Sequence, residues 1–168
     1  FTNVTEMIDR TGVQAGGVCT PHPPHAAPTV EAPERGVHAL VEKPLASTLS
    51  DCDAMLAAAD RTGAKLGVVS QRRFYEPVRR VKHAIDSGQI GQPLLGAVVM
   101  YGWRDGAYYR SDPWRGKWEA EGGGVLVNQA PHQLDLLQWF MGPIEEAFGY
   151  WDNLNHPSIE VEDTAVAV

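Results

Sequence analysis

Three short apolar runs, Gly17–Thr20, Val37–Val41 and Leu66–Val69, are separated by segments of helical length. Strands that alternate with helices pair in parallel, because a parallel neighbour is reached only by a crossover of a dozen or more residues. This alternation restricts the first half of the chain to an α/β fold built on a parallel sheet. Gly16 and Gly17 weaken the first run as a strand, and Pro21 and Pro44 close the first two runs. Ser50 is expected to cap the helix before the third run, with Asp53 as its capping-box partner. Cys52, Met55, Leu56 and Ala59 then form one apolar face, and Gly63 stops the helix. The helix between the first two runs must lie in His25–Gly36, which contains Pro28 and Pro33. Pro28 suits a first turn, whereas a proline in a helix interior costs roughly 3 kcal/mol and a backbone donor. That helix is therefore either short and kinked or carries a proline peculiar to this sequence.

Pro77 starts a further helix with Val78, Val81 and Ile85 on one face and Gly88 as its stop. Arg79, Arg80, Lys82 and His83 lie on its other side and read as a solvated face. Beyond Pro93 the texture changes. Leu94–Trp103 reads as a longer strand, and Asp105–Glu121 as an aromatic, charged loop. The boundary between two domains falls between Arg73 and Pro93, giving units of 1–75 and 76–168. Thr164–Val168 alternates like the start of a strand and stops without a turn residue, and Phe1 leads straight into a helical segment. The sequence thus reads as cut at both ends.

The formal net charge of −7 argues against a nucleic-acid partner. No stretch approaches the roughly 20 apolar residues of a membrane helix. Cys19 and Cys52, without metal spacing, are expected to be reduced, buried thiols of a cytoplasmic protein.

The densest chemistry lies in Glu121-Gly122-Gly123-Gly124-Val125-Leu126-Val127-Asn128-Gln129-Ala130-Pro131-His132-Gln133-Leu134-Asp135. Leu126, Ala130, Leu134, Leu137 and Met141 are spaced as one buried helix face. Asn128, His132 and Asp135 share another face and can point into one pocket. The triple glycine permits close approach of backbone or cofactor, and Pro131 must kink this helix or mark its late start. By itself, this stripe is equally well the wet side of an amphipathic helix. Glu42-Lys43-Pro44 and Thr20-Pro21 with His25 end two neighbouring strands, where open α/β sheets bind ligands. A surface lysine before a turn is the commoner reading of Lys43 alone.

Taken together, Thr20-Pro21 with His25, Glu42-Lys43-Pro44, and Gly122-Gly123-Gly124 through His132 and Asp135 resemble the Gfo/Idh/MocA oxidoreductases, in order and spacing along nearly the whole chain. The resemblance implies the C-terminal part of a Rossmann-type domain followed by part of an α+β domain with a large open sheet. It implies NAD or NADP as cofactor, a sugar, polyol or related alcohol as substrate, and a homo-oligomer, dimer or tetramer. On the matching positions, Lys43 and His132 would be catalytic, with Asn128 standing where many members have an aspartate. Thr20, Pro21, His25, Glu42, Lys43 and Pro44 would border the cofactor. Arg73, Trp114 and Arg115 resemble cofactor contacts of some members. Tyr108 and Tyr109 fall in the loop that sets substrate choice, beside Lys43, Asn128 and His132. An asparagine supplies a hydrogen bond but no charge, which leaves His132 a weaker base than a carboxylate neighbour would. Rival readings are a glycosidase of the same fold that uses NAD transiently, a non-catalytic member, and a metal hydrolase built on His22, His25 and His132. The last has loose spacing and no evident carboxylate support, and no metal is expected.

The family's glycine-rich phosphate turn is absent from this sequence, and family order places two strands and their helices before it, on the order of 50 to 60 residues. Without that turn a pyrophosphate has no helix N-terminus to rest on. The 168-residue chain is predicted to bind NAD(P) poorly or not at all. Titration calorimetry should show no micromolar affinity.

Overall fold

The computed structural model describes residues 1 and 3–168. Strands β1 (Ala15–Val18), β2 (His38–Val41) and β3 (Leu66–Val68) form a parallel sheet in that order. Val18 pairs with Val41, and Val41 with Val68. The sheet is thus the one the alternation requires, with β1 beginning and ending two residues earlier than its apolar run. Both glycines lie inside β1, and a Cβ on either would meet nothing within 4 Å.

Helix α1 (Val4–Thr11) is capped by Asn3, whose side chain accepts from the Glu6 amide, and it ends at Gly12 in the left-handed region. Its Ile8 packs with Ala32 and Val37 in a small core that also takes in Val4, Met7 and Val13. Helix α2 (Ala26–Glu34) follows a 3₁₀ turn at Pro23–His25. Pro28 is its third residue, where no intrahelical partner exists to lose. Pro33 lies next to the last residue, so it forfeits one hydrogen bond rather than breaking the helix. Helix α3 (Leu49–Thr62) is capped by Thr48 with Asp51, two residues ahead of the expected Ser50 and Asp53. Its inward face is Met55, Ala58 and Ala59, and Leu56 turns outward at 49 % exposure.

After a 3₁₀ turn at Gln71–Phe74, helix α4 (Glu76–Asp86) runs as its Pro77 and Gly88 predict. Arg80 pairs with Glu76 on its solvated side, whereas Lys82, paired with Asp86, is half-buried with its amine 5.7 Å from the Trp139 ring centre, and Val81 is exposed instead. Leu94–Trp103 is not a strand. Its composition favours extension, but a strand also needs a ladder partner, and none of the described residues pairs with it. Short helices α5 (Gly106–Arg110) and α6 (Trp118–Glu121) replace part of the expected loop. A π-helical turn at Val125–Gln129 leads into α7 (Pro131–Met141), with Pro131 in its first turn. The proline therefore marks a late start. The apolar face of α7 is half open, with Leu134 39 % and Met141 38 % exposed, while Gly96 lies against Leu137 and Met141. Strands β4 (Gly149–Asp152) and β5 (Thr164–Ala167) form an antiparallel pair, the second where Thr164–Val168 predicts it. No helix among the described residues is long and apolar enough to cross a membrane.

The triple glycine lies against the approach to β5. The Glu162 carboxylate accepts from the amides of Gly124 and Leu126 at 2.8 and 3.0 Å, and its carbonyl accepts from Val125 at 2.9 Å. Nearby, buried His156 bridges the Asp163 carboxylate and the Arg104 carbonyl, each at 2.7 Å, and so ties the loop before α5 to β5. Burial opposes ionisation of Asp163, yet the Leu154 amide, His156, Thr164 and the Asn155 amide hold its carboxyl well below the usual carboxylate range. Gly122 has φ of 81°, and a methyl group on Gly124 would overlap the Glu162 carbonyl oxygen. Gly124→Ala should lower stability by about 1–3 kcal/mol. A urea unfolding curve with an unchanged midpoint would contradict the close approach.

Candidate active site

The carboxyl ends of β1 and β2 open onto a cleft of about 520 Å³. Thr20, Pro21, Glu42 and Lys43 come from the strand ends, Tyr108, Trp114 and Arg115 from the α5–α6 region, and Asn128 and His132 from the π turn and α7. The structure therefore brings Lys43 and His132, 89 positions apart in the sequence, to one wall-to-wall space. His25 is buried behind it, with its ring nitrogens 2.9 Å from the carbonyl oxygens of Thr20 and Pro44. It pins the two strand ends to each other rather than lining the cleft. The Lys43–Pro44 peptide is cis.

Lys43 Nζ donates to both the backbone carbonyl and the side-chain oxygen of Asn128, each at 3.0 Å. Burial draws its ammonium below its ordinary value, against the attraction of Glu42 and Glu121. Burial likewise lowers the His132 imidazole, and the Lys43 charge adds to that; Glu42 and Asp135 oppose it less strongly. His132 is thus a neutral ring beside a cation, able to accept a proton from a ligand hydroxyl. His22, almost fully buried, has Nδ1 3.0 Å from the Glu121 carbonyl, which requires the proton on that nitrogen. Burial also lowers its pKa.

Tyr108 and Arg115 form the facing side. The Arg115 guanidinium lies 4.3 Å from the ring centres of both Tyr108 and Trp114, and donates to the Tyr108 hydroxyl at 2.7 Å. Gln129 donates to the same hydroxyl at 3.1 Å and accepts from Arg104 at 3.0 Å. Tyr109 lies outside the cleft, its ring packed on Tyr108 and His156.

Asp135 does not join Asn128 and His132. It lies about 4.5 Å further along the helix than His132 at the usual rise and holds Arg73 by two bonds of 2.8 and 2.5 Å. Arg73 is thereby turned from the cleft, with its guanidinium 5.1 Å from the Trp139 ring centre. Cys19 is exposed at the cleft wall rather than buried, and Cys52 is half-buried; both are free thiols. Sequence reasoning passed over His22 as a cleft residue, and Glu121, Gln129 and Arg104 altogether. Glu121 and Gln129 stood inside the quoted motif without a role, while Arg104 carried no signal. Among the described residues, no three His, Cys, Asp or Glu side chains gather as a metal site, so His22, His25 and His132 form no such triad.

The carboxyl ends of the strands in an open parallel sheet, where Lys43 sits, are where such folds bind ligands. Residues 1–70 match the model of an oxidoreductase family with an NAD-binding Rossmann fold, and residues 78–168 match the GFO/IDH/MocA C-terminal domain. The chain belongs to the Gfo/Idh/MocA family. It is 34% identical over 154 residues to 1-carboxy-3-chloro-3,4-dihydroxycyclohexa-1,5-diene dehydrogenase of Comamonas testosteroni, which covers 89% of this chain and 38% of that protein. It is 33% identical over 143 residues to 1,5-anhydro-D-fructose reductase of Ensifer adhaerens, covering 83% and 41%. Among solved structures, the WlbA dehydrogenase from Bordetella pertussis, in complex with NADH and UDP-GlcNAcA, superposes with a TM-score of 0.86 at 35% identity. That match covers 99% of this chain and 51% of the other. The chain thus spans about half the length, or less, of these relatives.

Arg73→Met should cost no more than about 1 kcal/mol, since the pair it breaks is partly solvated. Chemical denaturation would measure this, and a loss of several kcal/mol would show that the pair anchors α7.

Proposed function

We propose that the whole protein is an NAD(P)-dependent oxidoreductase that interconverts a secondary alcohol and a ketone on a sugar, polyol or related compound. The observation that carries this reading is the convergence of Lys43 and His132 on one cleft at the carboxyl edge of a parallel sheet. The residues here suit the nicotinamide end of the cofactor: Thr20, Pro21, Glu42 and Pro44 at the strand ends would border it, with Trp114 and Arg115 across the cleft. Arg73 is engaged elsewhere and is assigned no such role. The cofactor supplies hydride exchange when bound. The protein supplies orientation and proton transfer.

In the oxidising direction, His132 takes the proton of the substrate hydroxyl, and the Lys43 ammonium stabilises the alkoxide that develops as it leaves. Asn128 holds the Lys43 amine, and Tyr108 lines the substrate's side of the cleft. The relatives dehydrogenate or reduce ring compounds, as their names state, and this favours a ring alcohol as substrate. Two free thiols accord with a reducing cytoplasm.

In the full-length enzyme, His132→Ala and Lys43→Ala should each reduce turnover by about 10² or more. Near-normal rates in both would sink the reading. Alcohol oxidation needs neutral His132 and charged Lys43. The rate should therefore fall as pH drops through a value below the ordinary 6.5 of histidine. It should fall again as pH rises through a value below the ordinary 10.5 of lysine. Steady-state rates with NAD across that range would locate both limbs.

A further inference from the structure

Glu121 is the last residue of α6 and 2 % exposed, and no cation among the described residues lies within ion-pair distance of its carboxylate. Each oxygen accepts one bond. Oε2 takes the Gly116 amide at 2.6 Å, and Oε1 takes the side-chain amide nitrogen of Asn128. The other end of the same amide, Oδ1, accepts from Lys43 Nζ. The order across the site is carboxylate, amide, ammonium, and it has one polarity. Turning the amide over would set its oxygen against the carboxylate and its NH₂ against the ammonium, losing both bonds. An aspartate at 128 would set a second carboxylate against a buried one, where like charges cannot both ionise cheaply. A buried carboxylate at 121 therefore favours an amide over a second carboxylate at 128.

We propose that Glu121 is a positioning residue of the active site: it locks the Asn128 amide in one orientation and through it aims the Lys43 amine at the substrate oxygen. Both Glu121 oxygens accept an N–H, as an ionised carboxylate does, and these donors and Arg115 act against the burial that raises its pKa. The inference rests on the dehydrogenase reading only where activity is its readout.

The test uses full-length enzyme carrying Glu121→Gln, Asn128→Asp, or both. Asn128→Asp should lower kcat/KM on the order of tenfold or more, and Glu121→Gln should lower it as well. The double variant restores complementarity, because the glutamine amide can donate to the new carboxylate, whose other oxygen accepts from Lys43. It should recover to within a few-fold of wild type. A double variant no better than the product of the two single losses would overturn the proposal, as would a fully active Asn128→Asp. A second readout needs neither substrate nor cofactor: the pH dependence of Lys43 acetylation by acetic anhydride, followed by peptide mass spectrometry. Its midpoint should fall in Glu121→Gln, which removes a nearby negative charge. It should rise above wild type in the double variant, which brings one into contact. An unmoved midpoint in both overturns the proposal even if activity changes. Shifted midpoints in an enzyme that oxidises no alcohol would uphold the placement of Glu121 and defeat the dehydrogenase reading instead.

Discussion

The cleft depends on one close contact of backbones. The amides that open the π turn are held by a carboxylate and a carbonyl from Glu162, just ahead of β5. Only residues without a side chain leave room for that contact at Gly124. The free N–H groups at the start of a helical segment need acceptors when buried, and here they find them on Glu162, far along the chain. This fixes where Asn128 and His132 sit in space. The parallel sheet independently fixes Lys43, and the two Lys43–Asn128 bonds join the halves.

Within the cleft, desolvation is the largest influence on both Lys43 and His132. Burial weakens the hold of Lys43 and His132 on their protons; the Lys43 charge adds to this at His132, and the Arg115 charge adds to it at Lys43. The nearest buried carboxylate, Glu121, is held one amide away from the amine rather than in contact with it. The result is a lysine whose charge is not spent on an ion pair. Such an amine can turn toward charge that appears on a ligand, which a tightly paired one cannot do without giving up its partner.

Much of this was legible in the residues. Alternating apolar runs specified the parallel strands, Gly63 and Gly88 ended their helices, and Thr164–Val168 declared a strand. Lys43 at a strand end and His132 on a glycine-led helix each read equally well as surface residues, and it was the family resemblance that paired them. What escaped was set by distant partners. Leu94–Trp103 has strand composition but no ladder partner among the described residues. Thr48 rather than Ser50 caps α3, because the helix starts as soon as an extended residue can offer its oxygen to the chain. Asp135 has the spacing of a site residue, yet Arg73, 62 positions away, claims it. Glu121 had no spacing to betray it, since its meaning comes from the amide it faces.

The π turn at Val125–Gln129 also acts as a phase shifter in the helical screw. Its wider loop, closed by the Ala130 amide on the Val125 carbonyl, absorbs one residue more than an α turn would. Removing Gln129 would let an ordinary turn form. Asn128 would then swing by about 100° relative to His132, and the amide would lose sight of the lysine while Asn128, His132 and the three glycines were all still present.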